Sequence, residues 1–204
     1  ILTVTLLFAS APKIILFSII DKLFYFLFSE FQTFSNVFFI YCSLGSIFVG
    51  SISALYQKRI KRLFAYSTIT HTGFILLAIL ATSIESVKAI VFYIIIYSLL
   101  TVLLFSTLIY SVVTTNNYPK YLINWTSLCL KNYIYAITFT FILFSIAGVP
   151  PLAGFFSKFF VLFSVIAQEY YLIGVFVIVL SSIACFYYIP VSYTHLTLPT
   201  TDRV

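Results

Sequence analysis

Three ionisable residues stand where the surrounding sequence is too apolar to hold them idly. Lys13 lies near the middle of an apolar run, Lys158 follows a break in FSIAGVPPLAGFFSKFFVLF (Phe144–Phe163), and His71 sits in AYSTITHTGF (Ala65–Phe74). A lysine at membrane depth costs ~2.5–3.5 kcal/mol on insertion scales and marks ion or proton pathways more often than packing. Burial penalises the charged form of an amine, while water or a nearby carboxylate restores it, so a small rearrangement can load or unload its proton. A row of such groups, linked by water and hydroxyls, can pass protons within the membrane. Two blander readings stay open: Lys158 in a loop, snorkelling to the surface, and His71 as a structural imidazole bonded to a neighbour.

The segment that must position Lys158 is the apolar run from Tyr133 to Ala167. It is far longer than the ~20 residues a bilayer requires. Gly148, Pro150, Pro151 and Gly154 interrupt it near its middle. Pro151 has no N–H, its ring would meet the carbonyl of Ala147, and Pro150 is pushed out of helical geometry by the proline after it. A discontinuous helix over residues 133–167 follows, with Lys158 one turn past the break. Irregular backbone at that depth survives only where protein or a water-filled cavity satisfies its polar groups; water is the expected partner here.

The chain of 204 residues is 62% hydrophobic and 8% charged, against about 25% charged residues in soluble chains. Its mean hydropathy is +1.14. The expected class is an all-α, polytopic transmembrane bundle, since the apolar runs are long and continuous and lack the short alternating segments of a barrel. The net charge of +6 resides at the ends of apolar runs, a pattern of membrane orientation that offers nothing to nucleic acid. Cys42, Cys129 and Cys185 are far apart in apolar surroundings and read as small fillers. No phosphate loop, metal-ligand cluster or nucleophile–base pair is visible, so no cofactor is expected in this chain.

In order, the expected spans are residues 1–28, Asn36–Tyr56, Leu63–Thr82, Val87–Val113, the broken run and Tyr170–Ile189. Ser10, Lys13 and Asp21 make a polar stripe on the first. Gly45, Gly50, Ser46, Ser51 and Ser53 make a packing seam on the second. Ser67 and His71 share a face of the third, and Tyr93, Tyr97 and Thr101 form a stripe on the fourth, read as packing in preference to a hydrated path. The link Thr114–Asn132, with Trp125, suits the membrane interface. From Val191 onward the sequence turns polar and Thr-rich; SYTHLTLPT resembles translated adapter read-through, and residues 191–204, His195 included, are set aside as a non-native or disordered tail. With Ile1 already inside an apolar run and no methionine present, the chain reads as a fragment.

The residues carry a family resemblance. ALYQKRIKRLFAYSTITHTGF (Ala54–Phe74) resembles the Q-x-x-x-KR-x-x-AYSSI-x-H-x-G signature of the antiporter-like subunits of respiratory complex I. SIAGVPPLAGFFSKFFVL (Ser145–Leu162) resembles the S-L-A-G-I-P-P-x-x-G-F-x-x-K-F segment of that family's subunit 2, or chain N, branch. The resemblance implies that residues 1–28 are the helix preceding the second of two inverted repeats, and that residues 36–190 are that five-helix repeat. It implies that Lys13, His71 and Lys158 form a proton relay, with the basic pair Lys61 and Arg62 and the break residues Gly148, Pro150, Pro151 and Gly154 in support. It further implies a proton-translocating subunit of NADH:ubiquinone oxidoreductase, with NADH, FMN, iron–sulfur clusters and quinone on other subunits and further membrane subunits as partners. The location implied is the mitochondrial inner membrane, or a bacterial plasma membrane. A sodium/proton antiporter subunit is the alternative, disfavoured because no carboxylate lies mid-span and Asp21 is near an end.

Orientation follows from charge. The links Lys58–Arg62 and Lys120–Lys131 carry Lys58, Arg59, Lys61, Arg62, Lys120 and Lys131 and no acid, whereas Glu30, Glu85 and Glu169 oppose Lys88 on the other side. The positive-inside rule puts both basic links on the matrix or cytoplasmic face. A cysteine placed at Lys61 should therefore react with a membrane-impermeant maleimide only from that face; reaction from the other face would reverse the topology.

Overall fold

The computed structural model describes residues 2–26, 32–115 and 133–196. Seven helices are found among them: α1 (Leu2–Phe26), α2 (Gln32–Leu55), α3 (Ile60–Leu80), α4 (Ile84–Thr115), α5 (Tyr133–Ala147), α6 (Ala153–Ile166) and α7 (Tyr171–Leu196). Within them, Ser35–Leu55, Ile60–Leu80, Ile84–Tyr110 and Tyr171–Tyr188 are each long and apolar enough to cross a bilayer. Helix α1 runs unbroken through Pro12. The interfacial link with Trp125, Lys120 and Lys131 lies outside the described residues, as does Cys129. Helix α7 continues to Leu196, six residues into the segment expected to be a tail.

The buried apolar side chains form two clusters, one above the other. One joins the start of α3 (Ile60, Leu63, Phe64), the second half of α4 (Leu100 to Leu108), α5 (Phe139, Leu143) and the second half of α7 (Ala184, Tyr187, Tyr188). The other joins the rest of α3 (Phe74 to Leu80), the first half of α4 (Ala89 to Tyr97), α6 (Val161, Val165) and the first half of α7 (Val177, Leu180). Helices α3, α4 and α7 pass through both. Helices α5 and α6, 15 and 14 residues long, supply one cluster each and are too short to cross alone. They are two halves of one crossing, with the break at the level between clusters.

The break is closed by a specific set of bonds. The N–H of Val149 donates to the Phe144 carbonyl and that of Gly148 to the Ser145 carbonyl, both at 3.1 Å, with Gly148 at φ +88°. That is a Schellman ending, which needs a residue free to adopt positive φ. Pro150–Pro151 is a cis peptide. Helix α6 then begins without a side-chain cap at Leu152, and Ser145 Oγ accepts from the N–H of Gly154 at 3.3 Å. A β-carbon at position 154 would run into the Ser145 carbonyl oxygen, so glycine is what lets the two half-helices approach.

Helix α2 packs most extensively on α3. A β-carbon on Gly50 would press on Thr70 and the Tyr66 carbonyl, and one on Gly73 would strike Ser46 and Ile47. Ser43 and Ser51 are buried on the same side. The seam expected from small residues is thus present, except that Gly45 faces open space. The basic turn contains Lys58 and Arg59, while Lys61 and Arg62 fall in the first turn of α3. Gln57 closes α2 by donating from its side chain to the Ser53 carbonyl at 3.1 Å.

Gly154→Ala should overpack the break and cost ~1–3 kcal/mol. The expected result is a lower midpoint of thermal unfolding of the detergent-solubilised protein, followed by circular dichroism.

Candidate functional site

Ionisable and hydroxyl-bearing side chains of α1, α3, α4, α6 and α7 meet at the level of the break. Helix α6 starts just beyond it, so residue 158, in the second turn, projects back over the end of α5. Lys158 is 9% exposed. Its Nζ donates to the Ala147 carbonyl at 2.6 Å and to the Ile146 carbonyl at 3.2 Å. The last four carbonyls of any helix lack helical partners. In α5 the Schellman bonds take those of Phe144 and Ser145, and Lys158 takes the remaining two. The freed carbonyls expected to be met by water are met by the lysine itself. Cys185, expected to be an apolar filler, also donates to the Ala147 carbonyl through Sγ at 3.3 Å. Gly148 leaves room for the amine: a β-carbon there would stand 3.0 Å from Lys158 Nζ.

His71 comes from the centre of α3 and is 5% exposed. Its Nδ1 shares a 2.7 Å hydrogen bond with the Tyr93 hydroxyl, and its ring lies 4.4 Å, centroid to centroid, from that of Tyr97. Lys13, half-buried on α1, donates to the Thr68 carbonyl of α3 at 3.2 Å; a helical carbonyl has a second lone pair to offer. Its ammonium also lies 5.3 Å from the Tyr97 ring centroid, within cation–π range. Tyr97 is therefore the contact between Lys13 and His71. The stripe of Tyr93 and Tyr97, read from sequence as packing, is packed and also forms part of the site; its i, i+4 spacing was the available signal, and only its partner was hidden.

His71 and Lys158 both line two small cavities, each of about 10 Å³, the room of about one water. One lies toward α4, with Tyr93, Tyr97, Ser145 and Ser157 in its wall. The other lies toward α7, with Thr70, Tyr187 and Tyr188. On that side Ser67 and Tyr188 share a short hydrogen bond. Neither lysine meets a carboxylate among the described residues. The structure does not bring Lys61 and Arg62 to this site: both are exposed in the first turn of α3, roughly 15 Å along the helix from His71. Pro150 and Pro151 are exposed as well and shape the break without touching the amine. Asp21 is half-buried on α1, about 12 Å along that helix from Lys13.

This geometry can be compared with known proteins. The family described as "NADH:quinone oxidoreductase/Mrp antiporter, TM" matches residues 2–184. The chain belongs to this family. The NADH-ubiquinone oxidoreductase chain 2 of Marchantia polymorpha is 38% identical over 186 residues, 91% of this chain and 37% of that protein. Among solved structures, respiratory complex I from Thermus thermophilus with bound aureothin contains a chain similar over 79% of this one and 36% of its own length, at 28% identity and a TM-score of 0.68. The Mrp complex from Dietzia sp. DQ12-45-1b gives a TM-score of 0.86 over 98% of this chain and 37% of its own, at 19% identity, a likeness of fold alone. The antiporter-like bundle is thus the fold of this chain, and the chain spans little more than a third of the length of the Marchantia polymorpha relative.

Tyr93→Phe would leave the buried imidazole of His71 without its partner, at ~1–3 kcal/mol for an unsatisfied buried group. The detergent-solubilised protein should melt earlier, and a retained melting temperature would show that His71 finds another partner.

Proposed function

We propose that this chain is the lysine-bearing second-repeat segment of a proton-translocating membrane subunit of NADH:quinone oxidoreductase. The observation that carries the reading is the continuous row from Lys13 through Tyr97 and His71 to the cavities shared with Lys158, buried between two apolar clusters. The two lysines of that row have no packing purpose, because each imposes an insertion cost that a plain scaffold would not retain.

The chemistry asked of it is modest. Lys158 is held as an ammonium by two carbonyls and no carboxylate, so no ion pair locks its proton in place. Loss of that proton to a water leaves a neutral amine that still donates to Ala147. His71 accepts or returns a proton at the centre, and Lys13 is the entry or exit toward α1. The trigger belongs to quinone reduction elsewhere in the assembly, and the redox groups to other subunits. Residues 36–190 correspond in this reading to the second inverted repeat, with residues 1–28 as the helix before it. The location is the mitochondrial inner membrane or its bacterial counterpart, with the basic turn at Lys58–Arg62 on the matrix or cytoplasmic face.

A sodium/proton antiporter role is the second reading, supported by the family description, which includes Mrp antiporters. It asks for a carboxylate to coordinate the ion, and among the described residues neither lysine touches one.

Lys158→Ala should leave the subunit inserted and lower the number of protons pumped per electron in membrane vesicles. Assembled variant complex that pumps at the wild-type ratio would remove Lys158 from the relay. Lys13→Ala should also lower the ratio, and Lys13→Arg should restore little, because arginine keeps its proton.

A further inference from the structure

The Tyr187 hydroxyl on α7 is buried and, among the described residues, makes no hydrogen bond. The hydroxyls of Tyr188, Thr70 and Ser67 are its neighbours, but none stands in hydrogen-bonding alignment with it. Each has another partner: Ser67 and Tyr188 bond one another, and Thr70 donates to the Ser67 carbonyl at 2.6 Å. A buried hydroxyl left unpaired costs ~1–3 kcal/mol, and native interiors satisfy such groups with protein or with ordered water. Tyr187 opens on the cavity of about 10 Å³ that Lys158, His71 and Thr70 also line. That is room for about one water, which needs 2–4 polar partners, and this wall supplies them. In the cavity on the α4 side, Tyr93 is bonded to His71, Ser157 to the Gly154 carbonyl and Ser145 to the Gly154 N–H.

We propose that Tyr187 is a positioning residue that, with Thr70, holds one internal water between Lys158 and His71. The inference rests on the relay reading for these two residues and adds α7 to it. In the forward step an N–H bond of the Lys158 ammonium breaks and its proton joins the water oxygen. One of the water's own protons leaves to the imidazole nitrogen of His71. The amine ends neutral, the imidazole ends cationic and the water is unchanged. The Tyr187 hydroxyl keeps the water oriented and gives up no proton.

The test uses the intact complex, wild type and Tyr187→Phe, which removes only the hydroxyl. A structure at a resolution that shows waters should place one in this cavity within hydrogen-bond reach of Tyr187 in the wild type and none in the variant. The rate of proton pumping in vesicles should fall about fivefold, the value of roughly one hydrogen bond, and the protons pumped per electron should fall with it. Ala184→Val narrows the same cavity from its wall with the hydroxyl intact, and should also expel the water and lower the ratio; it carries the test if Tyr187→Phe does not assemble. A wild-type cavity without water, a water retained in Tyr187→Phe, or wild-type pumping after the water is lost overturns the proposal. Normal pumping by Lys158→Ala overturns the relay reading separately, because the water's position is read without it.

Discussion

The contact on which the rest depends is the ammonium of Lys158 against the carbonyls of Ile146 and Ala147. A helix that ends inside a membrane leaves carbonyls with no water to meet them, at several kcal/mol each. A lysine in the same place lacks its own solvent. Each defect answers the other: the amine completes the broken helix, and the broken helix keeps the amine at mid-depth. The arrangement requires glycine at 148, where φ is positive and a side chain would crowd the amine, and glycine at 154, where a side chain would strike Ser145.

The two apolar clusters derive their meaning from this contact. Helices α5 and α6 each fill only one of them, so the polar residues of α3 (Ser67, Thr70 and His71) fall level with the gap between the halves. Polar groups there bond among themselves, as His71 does with Tyr93 and Ser67 with Tyr188. Outward-facing positions such as Phe159, Phe163, Leu172 and Val175 are apolar and exposed, as a bilayer permits.

The closed bonding of the site also bears on how it can move. Lys158 donates to backbone carbonyls, which cannot rearrange as side chains do, while its other neighbours are a ring (Phe74, 5.6 Å from Nζ) and two water-sized spaces. The amine thus has a rigid anchor in the backbone.

Much of this was legible in the sequence, for physical reasons. Continuous apolar runs without a barrel's alternation read as membrane helices, because helices and closed barrels are what satisfy every backbone group in lipid. Pro150–Pro151 with flanking glycines must break a helix, and Lys13, His71 and Lys158 stand out because charge and imidazole are costly there. Local chemistry of that kind needs no partner to be read. What only the tertiary structure decided was who meets whom. No spacing in the chain says that Lys158 would satisfy the end of its own broken helix in place of water, that Cys185 would join it, or that Tyr97 would touch both Lys13 and His71. Those contacts join residues from different helices, and they depend on the rotation and depth at which α1, α3, α4, α6 and α7 pack, quantities set by side-chain fit across the bundle and not by any one segment.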